Sequence, residues 1–314
     1  MKTLDRAALK QIDRWMARNA RPLEWALWRL HFHGGSREDV LAALGAYQNA
    51  DGGFGHALEP DNWNPNSAPY FTLFAVNLLR GTGFEDDSHP LLAGALRYLE
   101  HTEHRSDFGW HFNIASSNDH AHAPWWGYND GPSAVESLGL TAGIAGFALT
   151  HAAKGSALYD MALGYAEYAI QAFQTPGRYG DMGVGGGVAL LRDIDAAGLG
   201  ERLGAESLRR RLNELVNATI ERNVEKWQYY GIRPSNYITG PDSPWLTGNE
   251  NIMQAELDYL VDTRPEGGVW GVTWSWFENN ERYAREWAIS ENWWRAIAGI
   301  DKVRLLKAFG RVEE

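Results

Sequence analysis

Residues 48–67 read QNADGGFGHALEPDNWNPNS and place two carboxylates, Glu59 and Asp61, on either side of a single proline. Two carboxylates in a partly dry environment take different pKa values, and that split supplies a general acid beside a general base. The same pair has a structural use. A negative charge capping the helix expected to begin near Ser67, or accepting loop amides, is favourable at a helix N-terminus. A second concentration of chemistry lies at 116–132, SSNDHAHAPWWGYNDGP, where His120 and His122 stand near Asp119 and Asp130 and precede Trp125, Trp126 and Tyr128. The three rings form a platform for a sugar or a hydrocarbon chain. A histidine such as His122, titrating near neutrality, suits proton transfer. A His-x-His pair alone is a poor metal signature, because a site needs a third ligand and a supporting shell, so no metal is expected.

Two further segments carry candidates. GPDSPWL at 240–246 holds Asp242 between prolines that fix the local backbone, with Trp245 close behind. Asp242 serves either as a third acid or as a cap for the helix beginning near Glu250. VWGVTWSWF at 269–277 would bring Trp270, Val272, Trp274 and Trp276 onto one face if extended. Arg295, following Trp293 and Trp294, meets either a bound carboxylate or phosphate, or a core acid such as Glu291. GVGGG at 183–187 lacks the lysine and strand context of a phosphate loop, so nucleotide binding is discounted and no cofactor is implied.

The whole chain constrains these options. Its 314 residues suffice for a large core, and a formal charge of -11 repels nucleic acid and anionic membranes. Cysteine is absent, which removes disulfides, thiolate metal sites and cysteine nucleophiles. The charged N-terminus is unlike a signal peptide and no segment has the length of a membrane span, so the expectation is a soluble, cytoplasmic protein. Fifteen tryptophans exceed what surface chemistry needs, and most are assigned to packing.

Two kinds of helix alternate. Residues 204–223 put Leu208, Leu212 and Leu215 on one stripe with charges elsewhere, as in an outer helix. LGLTAGIAGFALT at 138–150 carries no charge and suits an inner helix surrounded by protein. Comparable pairs are 37–48 with 67–81 and 88–103 with 133–152. The first has Phe71, Phe74, Ala75, Leu78 and Leu79 as its apolar stripe. DGGFG at 51–55 is echoed by DFGW at 107–110 and EGGVW at 266–270, with GVGGG as a poorer copy. Helical hairpins repeated in this way bury their faces by stacking on neighbours. The expected fold is all-α, an α/α toroid of inner and outer helices with a central cavity, forming one domain over residues 1–314.

YQNADGGFG at 47–55 resembles the glutamine and aromatic repeat of the terpenoid cyclase and protein prenyltransferase superfamily. The resemblance implies that Gln48 ties helix ends together and that Phe54 packs between hairpins. QNADGGFGHALEPD, HAPWW and GPDSPWL together look like a group of bacterial proteins carrying the same repeat. By position, the resemblance nominates Glu59, Asp61 and Tyr70 as cavity residues, and Trp293, Trp294 and Arg295 after the third turn. The signature chemistry departs from the pattern: there is no DxDD acid motif, no metal-binding acidic cluster and no zinc cysteine. The functional expectation is an enzyme acting on an isoprenoid-like substrate, with Glu59, Asp61, His122 and Asp242 as acid and base candidates. Tyr70, Trp125, Trp126, Tyr128, Trp245, Trp293, Trp294 and Arg295 are the expected ligand contacts. The alternatives are a carbohydrate-active enzyme with carboxylates about 5–10 Å apart and a non-catalytic protein that holds an apolar ligand.

Overall fold

The computed structural model describes all residues except 85, 130–133, 178 and 314, and leaves the side chains of 134–137 and 180–182 undescribed. The described chain is mostly helical, with one two-stranded hairpin. In chain order the helices are α1 (Arg6–Asn19), α2 (Pro22–Phe32), α3 (Arg37–Gly45), α4 (Pro69–Gly81) and α5 (Pro90–His101). Strands β1 (Arg105–Ser106) and β2 (Gly109–Trp110) follow, then α6 (Ala134–His151), α7 (Ala157–Gln174), α8 (Gly180–Ala196), α9 (Gly200–Leu203) and α10 (Ala205–Thr219). The chain closes with α11 (Glu250–Thr263), α12 (Asn279–Arg282) and α13 (Ala284–Ala308). Prolines 22, 69 and 90 each occupy the first turn of a helix, where a missing amide costs nothing.

The chain forms two compact units, one of residues 1–44 with 219–314 and the other of residues 45–218. In the first unit α13 packs against α1 and α2, burying Ile12, Met16, Leu23, Trp28, Ile300 and Val303. The termini are tied to it by Arg311, which is 2 % exposed and donates to the Lys2 carbonyl (2.7 Å) and to Asp258 Oδ1 (2.6 Å). These contacts hold the Asp258 carboxyl below its usual range.

In the second unit α6 is the central helix. Residues 138–149 are buried without a break, as their lack of charge requires. α8 lies directly against it, because Gly186 meets the Gly139 carbonyl so closely that a Cβ would stand 2.0 Å from the oxygen. GVGGG is therefore no copy of the turn motif. It is a helical segment whose small residues let two backbones approach. α10 buries Leu208, Leu212 and Leu215 and exposes most of its charges, as its stripe predicts.

The turn motifs share geometry. Gln48 Nε2 donates to the Gly52 carbonyl and to the Leu91 carbonyl in α5, both at 2.9 Å. Gly52 has φ +96°, and a Cβ there would stand 2.2 Å from the Gly94 oxygen. Phe54 is fully buried, and its amide donates to Thr72 Oγ1 in α4 (3.3 Å), as the Trp110 amide does to Thr141 Oγ1 in α6 (3.1 Å). Trp110 and Trp270 each send the indole N–H to a carbonyl of the preceding helix, Leu99 (3.1 Å) and Leu260 (2.9 Å). The 269–277 segment is irregular, not extended. Trp270 and Trp276 are buried, while Trp274 packs edge-on to Trp294 at 5.3 Å.

Gly52→Ala forces both a left-handed alanine and a backbone collision, so it should cost more than about 3 kcal/mol of unfolding free energy in a urea titration. A loss below about 1 kcal/mol contradicts the close approach. Because the Asp258 pKa is depressed in the folded chain, its contribution to stability is present above the unfolded value near 3.9 and is lost as pH falls through the folded value. Asp258→Asn should therefore lower stability at pH 7, and the loss should shrink as pH falls below the usual carboxylate range, read by the same titration.

Candidate functional site

Two loops of the second unit build the site. The first, residues 55–68, begins with His56 and Ala57 at φ 58° and 57°, a conformation that non-glycine residues adopt only when the surroundings impose it. The surroundings here are hydrogen bonds. His56 N donates to the Asn64 carbonyl (3.0 Å), and Asn64 N donates to Asn62 Oδ1 (3.0 Å). The second loop, 111–128, pairs with the first through Trp63 N to the Ala121 carbonyl and Ala123 N to the Asp61 carbonyl, both 2.8 Å, with Asn62 opposite His122. Asn62 Nδ2 reaches Ser117 Oγ (3.0 Å) and Asn64 Nδ2 reaches Ser116 Oγ (2.8 Å).

Glu59 and Asp61 are 3 % and 2 % exposed, and the Asp61 amide donates to Glu59 Oε2 at 2.9 Å. Of the two structural uses foreseen, accepting a loop amide is the one observed. α4 starts after Ala68 with no side-chain cap, so neither acid caps it. His122, also buried, is fixed by Nδ1 at 2.7 Å from the His120 carbonyl. A carbonyl only accepts, so Nδ1 carries a proton and donates it to that contact. Among the described residues no group of three or more His, Asp or Glu is placed to hold a metal ion; Asp130 lies outside them.

The aromatic residues lie beside these loops. Tyr70, at the start of α4, packs on Trp126 (4.6 Å between centroids) and Phe112 (5.1 Å), and Phe112 stacks on Trp126 at 4.8 Å and 7°. Trp126 is 2 % exposed and its Nε1 has no hydrogen-bond partner among the described residues. Trp125 is 38 % exposed and turns outward, so the expected three-ring platform is divided. Asn113 Nδ2 holds the loop by the carbonyls of Trp125 and Gly127, each at 3.1 Å. Asn118 Oδ1 accepts the Tyr128 amide at 2.8 Å.

Tyr70 also opens onto a recess of about 210 Å³ between α4, α6 and α8. Its wall is apolar: Leu73 and Phe74 from α4, Leu140 and Gly143 from α6, Gly185 and Ala189 from α8. Among the described residues that line it, Asn77 and the Tyr70 hydroxyl are the polar groups. The glycines make the space, since a Cβ at Gly185 would have nothing within 4 Å.

The remaining candidates belong to the first unit. Asp242 is exposed and makes no hydrogen bond or ion pair among the described residues; α11 takes Asn249 as its N-cap, so Asp242 is not that cap. Trp245 is buried, and its carbonyl accepts Asn249 Nδ2 at 3.0 Å. On α13, Trp293 lies under the Arg21 guanidinium (4.7 Å) and Arg295 lies over Trp15 (5.2 Å). Arg295 forms no ion pair with Glu291, and its Nε lacks a partner among the described residues.

Sequence reasoning missed Phe112, Asn62, Asn64, Asn113 and Asn118, which position the others. The signal was the asparagine density of DNWNPNS, because asparagine side chains close local turns on nearby amides. Comparison of the chain with protein-family models, with curated proteins and with solved structures finds no match.

Glu59→Ala removes the acceptor of a buried amide and should cost about 1–3 kcal/mol in chemical denaturation. Glu59→Gln keeps an acceptor oxygen and should lose less. Equal losses would mean that the charge, and not the amide contact, is what the loop uses.

Proposed function

We propose that the second unit binds an apolar, isoprenoid-like chain in the recess between α4, α6 and α8, whose lining includes Tyr70, itself backed by the Phe112–Trp126 stack. The observation that carries this is a hydrocarbon-lined space kept open by glycine where larger side chains would have filled it. At about 210 Å³ it falls below the roughly 300–1,000 Å³ typical of small-molecule pockets, so it fits a short apolar segment and not a polycyclic product. Glu59, Asp61 and His122 stand in the adjoining loops as the acid and base candidates of an enzyme of the terpenoid cyclase and prenyltransferase type. All three are buried, so a proton exchanged there is shielded from bulk water. The same reading assigns the helical hairpins to an α/α toroid, supported by the way Gln48 ties its own turn to α5 of the following hairpin.

One observation favours a carbohydrate ligand instead. A polar recess of about 700 Å³ is lined by Asn49, Asp51, Ser67, Arg97, Tyr98 and His101 among others. Tyr98 is 5 % exposed and its hydroxyl makes no hydrogen bond among the described residues, the nearest polar side chain acting on it being Thr102. A buried donor of this kind is satisfied when a ligand hydroxyl reaches it.

Thermal-shift measurements separate the two. A ten-carbon isoprenoid alcohol should raise Tm in the wild type and not in Gly185→Leu, whose side chain fills the recess while gaining about 1 kcal/mol of helix propensity. Equal shifts in both proteins would remove the recess as the site. A shift seen only with a disaccharide, and lost in Tyr98→Phe, would replace this reading by the carbohydrate one.

A further inference from the structure

The polar recess of the second unit, about 700 Å³, has a buried floor that includes Ser67, Tyr98 and Thr102 and an exposed rim that includes Asp51, Arg97 and Glu103. The floor is fixed by the turn beneath it. A Cβ at Gly53 would stand 2.5 Å from Ser67 Cβ and 2.7 Å from Tyr98 Cδ2, so the bare glycine is what lets both side chains pack against the backbone there. The Ser67 hydroxyl is committed to Asp51 Oδ1 at 2.7 Å. The Tyr98 hydroxyl is not committed to any described residue. Burial raises its pKa, and the carboxylates of Asp51 and Glu103 add to the shift, so it stays a protonated donor.

The rim carries both signs of charge, and they do not pair with one another. Arg97 Nη2 donates to the Ala50 carbonyl at 3.3 Å, and its guanidinium forms no ion pair among the described residues. Asp51 uses Oδ1 for the Gly53 amide and the Ser67 hydroxyl, which leaves Oδ2 without a hydrogen bond among them. The Glu103 carboxylate makes no hydrogen bond or ion pair among them either. Burial holds His104 toward its neutral form, so Arg97 is the permanent cation among the described residues that line the recess. Three kinds of ligand meet this arrangement differently. A neutral sugar satisfies Tyr98 and donates to the two carboxylates, but leaves the guanidinium unmatched. A bare anion matches the guanidinium, but is repelled by Asp51 and Glu103 and has nothing to donate to them. A hydroxylated carboxylate serves all four groups: its carboxylate fits the planar fork of Arg97, and its hydroxyls donate to the acids and accept from Tyr98.

We propose that the polar recess binds a sugar acid of the hexuronate type, with Arg97 holding the carboxylate and Tyr98 a ring hydroxyl. The inference rests on the carbohydrate reading of this recess. It shares no lining residue with the apolar recess between α4, α6 and α8, so occupancy of one does not exclude occupancy of the other.

The test is isothermal titration calorimetry of the intact protein with D-glucuronate and D-galacturonate, set against D-glucose and D-galactose as their neutral partners and acetate as a plain anion, all at one ionic strength. At least one uronate should bind about tenfold more tightly than its neutral partner and than acetate, the gain expected of a hydrogen-bonded charge pair. Arg97→Gln, an exposed change that can keep the Ala50 contact, should remove that tenfold and leave the neutral sugar as it was. Tyr98→Phe should weaken uronate and neutral sugar alike, and Gly185→Leu should affect neither. A neutral sugar that binds as tightly as its uronate, or a uronate preference that survives Arg97→Gln, overturns the proposal while leaving the carbohydrate reading in place. Acetate that binds as tightly as the uronates also overturns it, and an absence of binding by every sugar and uronate overturns both.

Discussion

The close approach of the 48–54 turn to α5 is the constraint on which the second unit depends. Gly52 lies against the Gly94 carbonyl with no room for a Cβ, and only at that separation does Gln48 Nε2 reach both Gly52 and Leu91. The neighbouring bonds follow from the same placement. Asp51 Oδ1 takes the Gly53 amide (2.9 Å) and the Ser67 hydroxyl (2.7 Å), which fixes where the chain re-enters α4. Phe54, buried and bridged to both Gln48 and Ala68, closes the turn over Thr72. A loop pinned at both ends in this way can hold His56 and Ala57 in conformations they would otherwise leave.

The site inherits this rigidity. Residues 61–63 are presented to residues 121–123 as a short ladder, and the ladder sets the distance between the first loop and the Phe112–Trp126 stack. Tyr70 joins the two parts, because it starts the helix that the turn positions and also faces the recess. Burial of Glu59 and Asp61 is a consequence of the loop's own wiring, so any chemistry they perform must work from within a hydrogen-bonded loop and not from an open cavity wall. The recess, by contrast, exists because α6 and α8 contribute glycine at facing positions.

Much of the helical order was legible in the sequence because its signals are local. The charge-free run of 138–149 and the leucine stripe of α10 have the period and polarity that burial demands. The turn motif was legible at Gln48, Gly52 and Phe54, whose roles need only their own side chains or the lack of one. GVGGG was misread because a glycine cluster signals equally a turn or a tight helix contact, and the deciding partner, Gly139, lies far along the chain. The tryptophans of 269–277 were legible as packing residues but not in their placement: alternation specifies one face only if the backbone is extended, and here each indole follows a different neighbour. The pairing of residues 61–63 with 121–123 joins distant segments through backbone groups, which carry no sequence signal at all.

The most direct measurement of the central claim is a crystal structure of the protein soaked with a ten-carbon isoprenoid alcohol. Density for the chain lying against Leu73, Gly143 and Gly185, with its hydroxyl toward Tyr70 or Asn77, is the predicted result. A recess closed by its own side chains, or one that stays free of the alcohol at saturating concentration, contradicts the account.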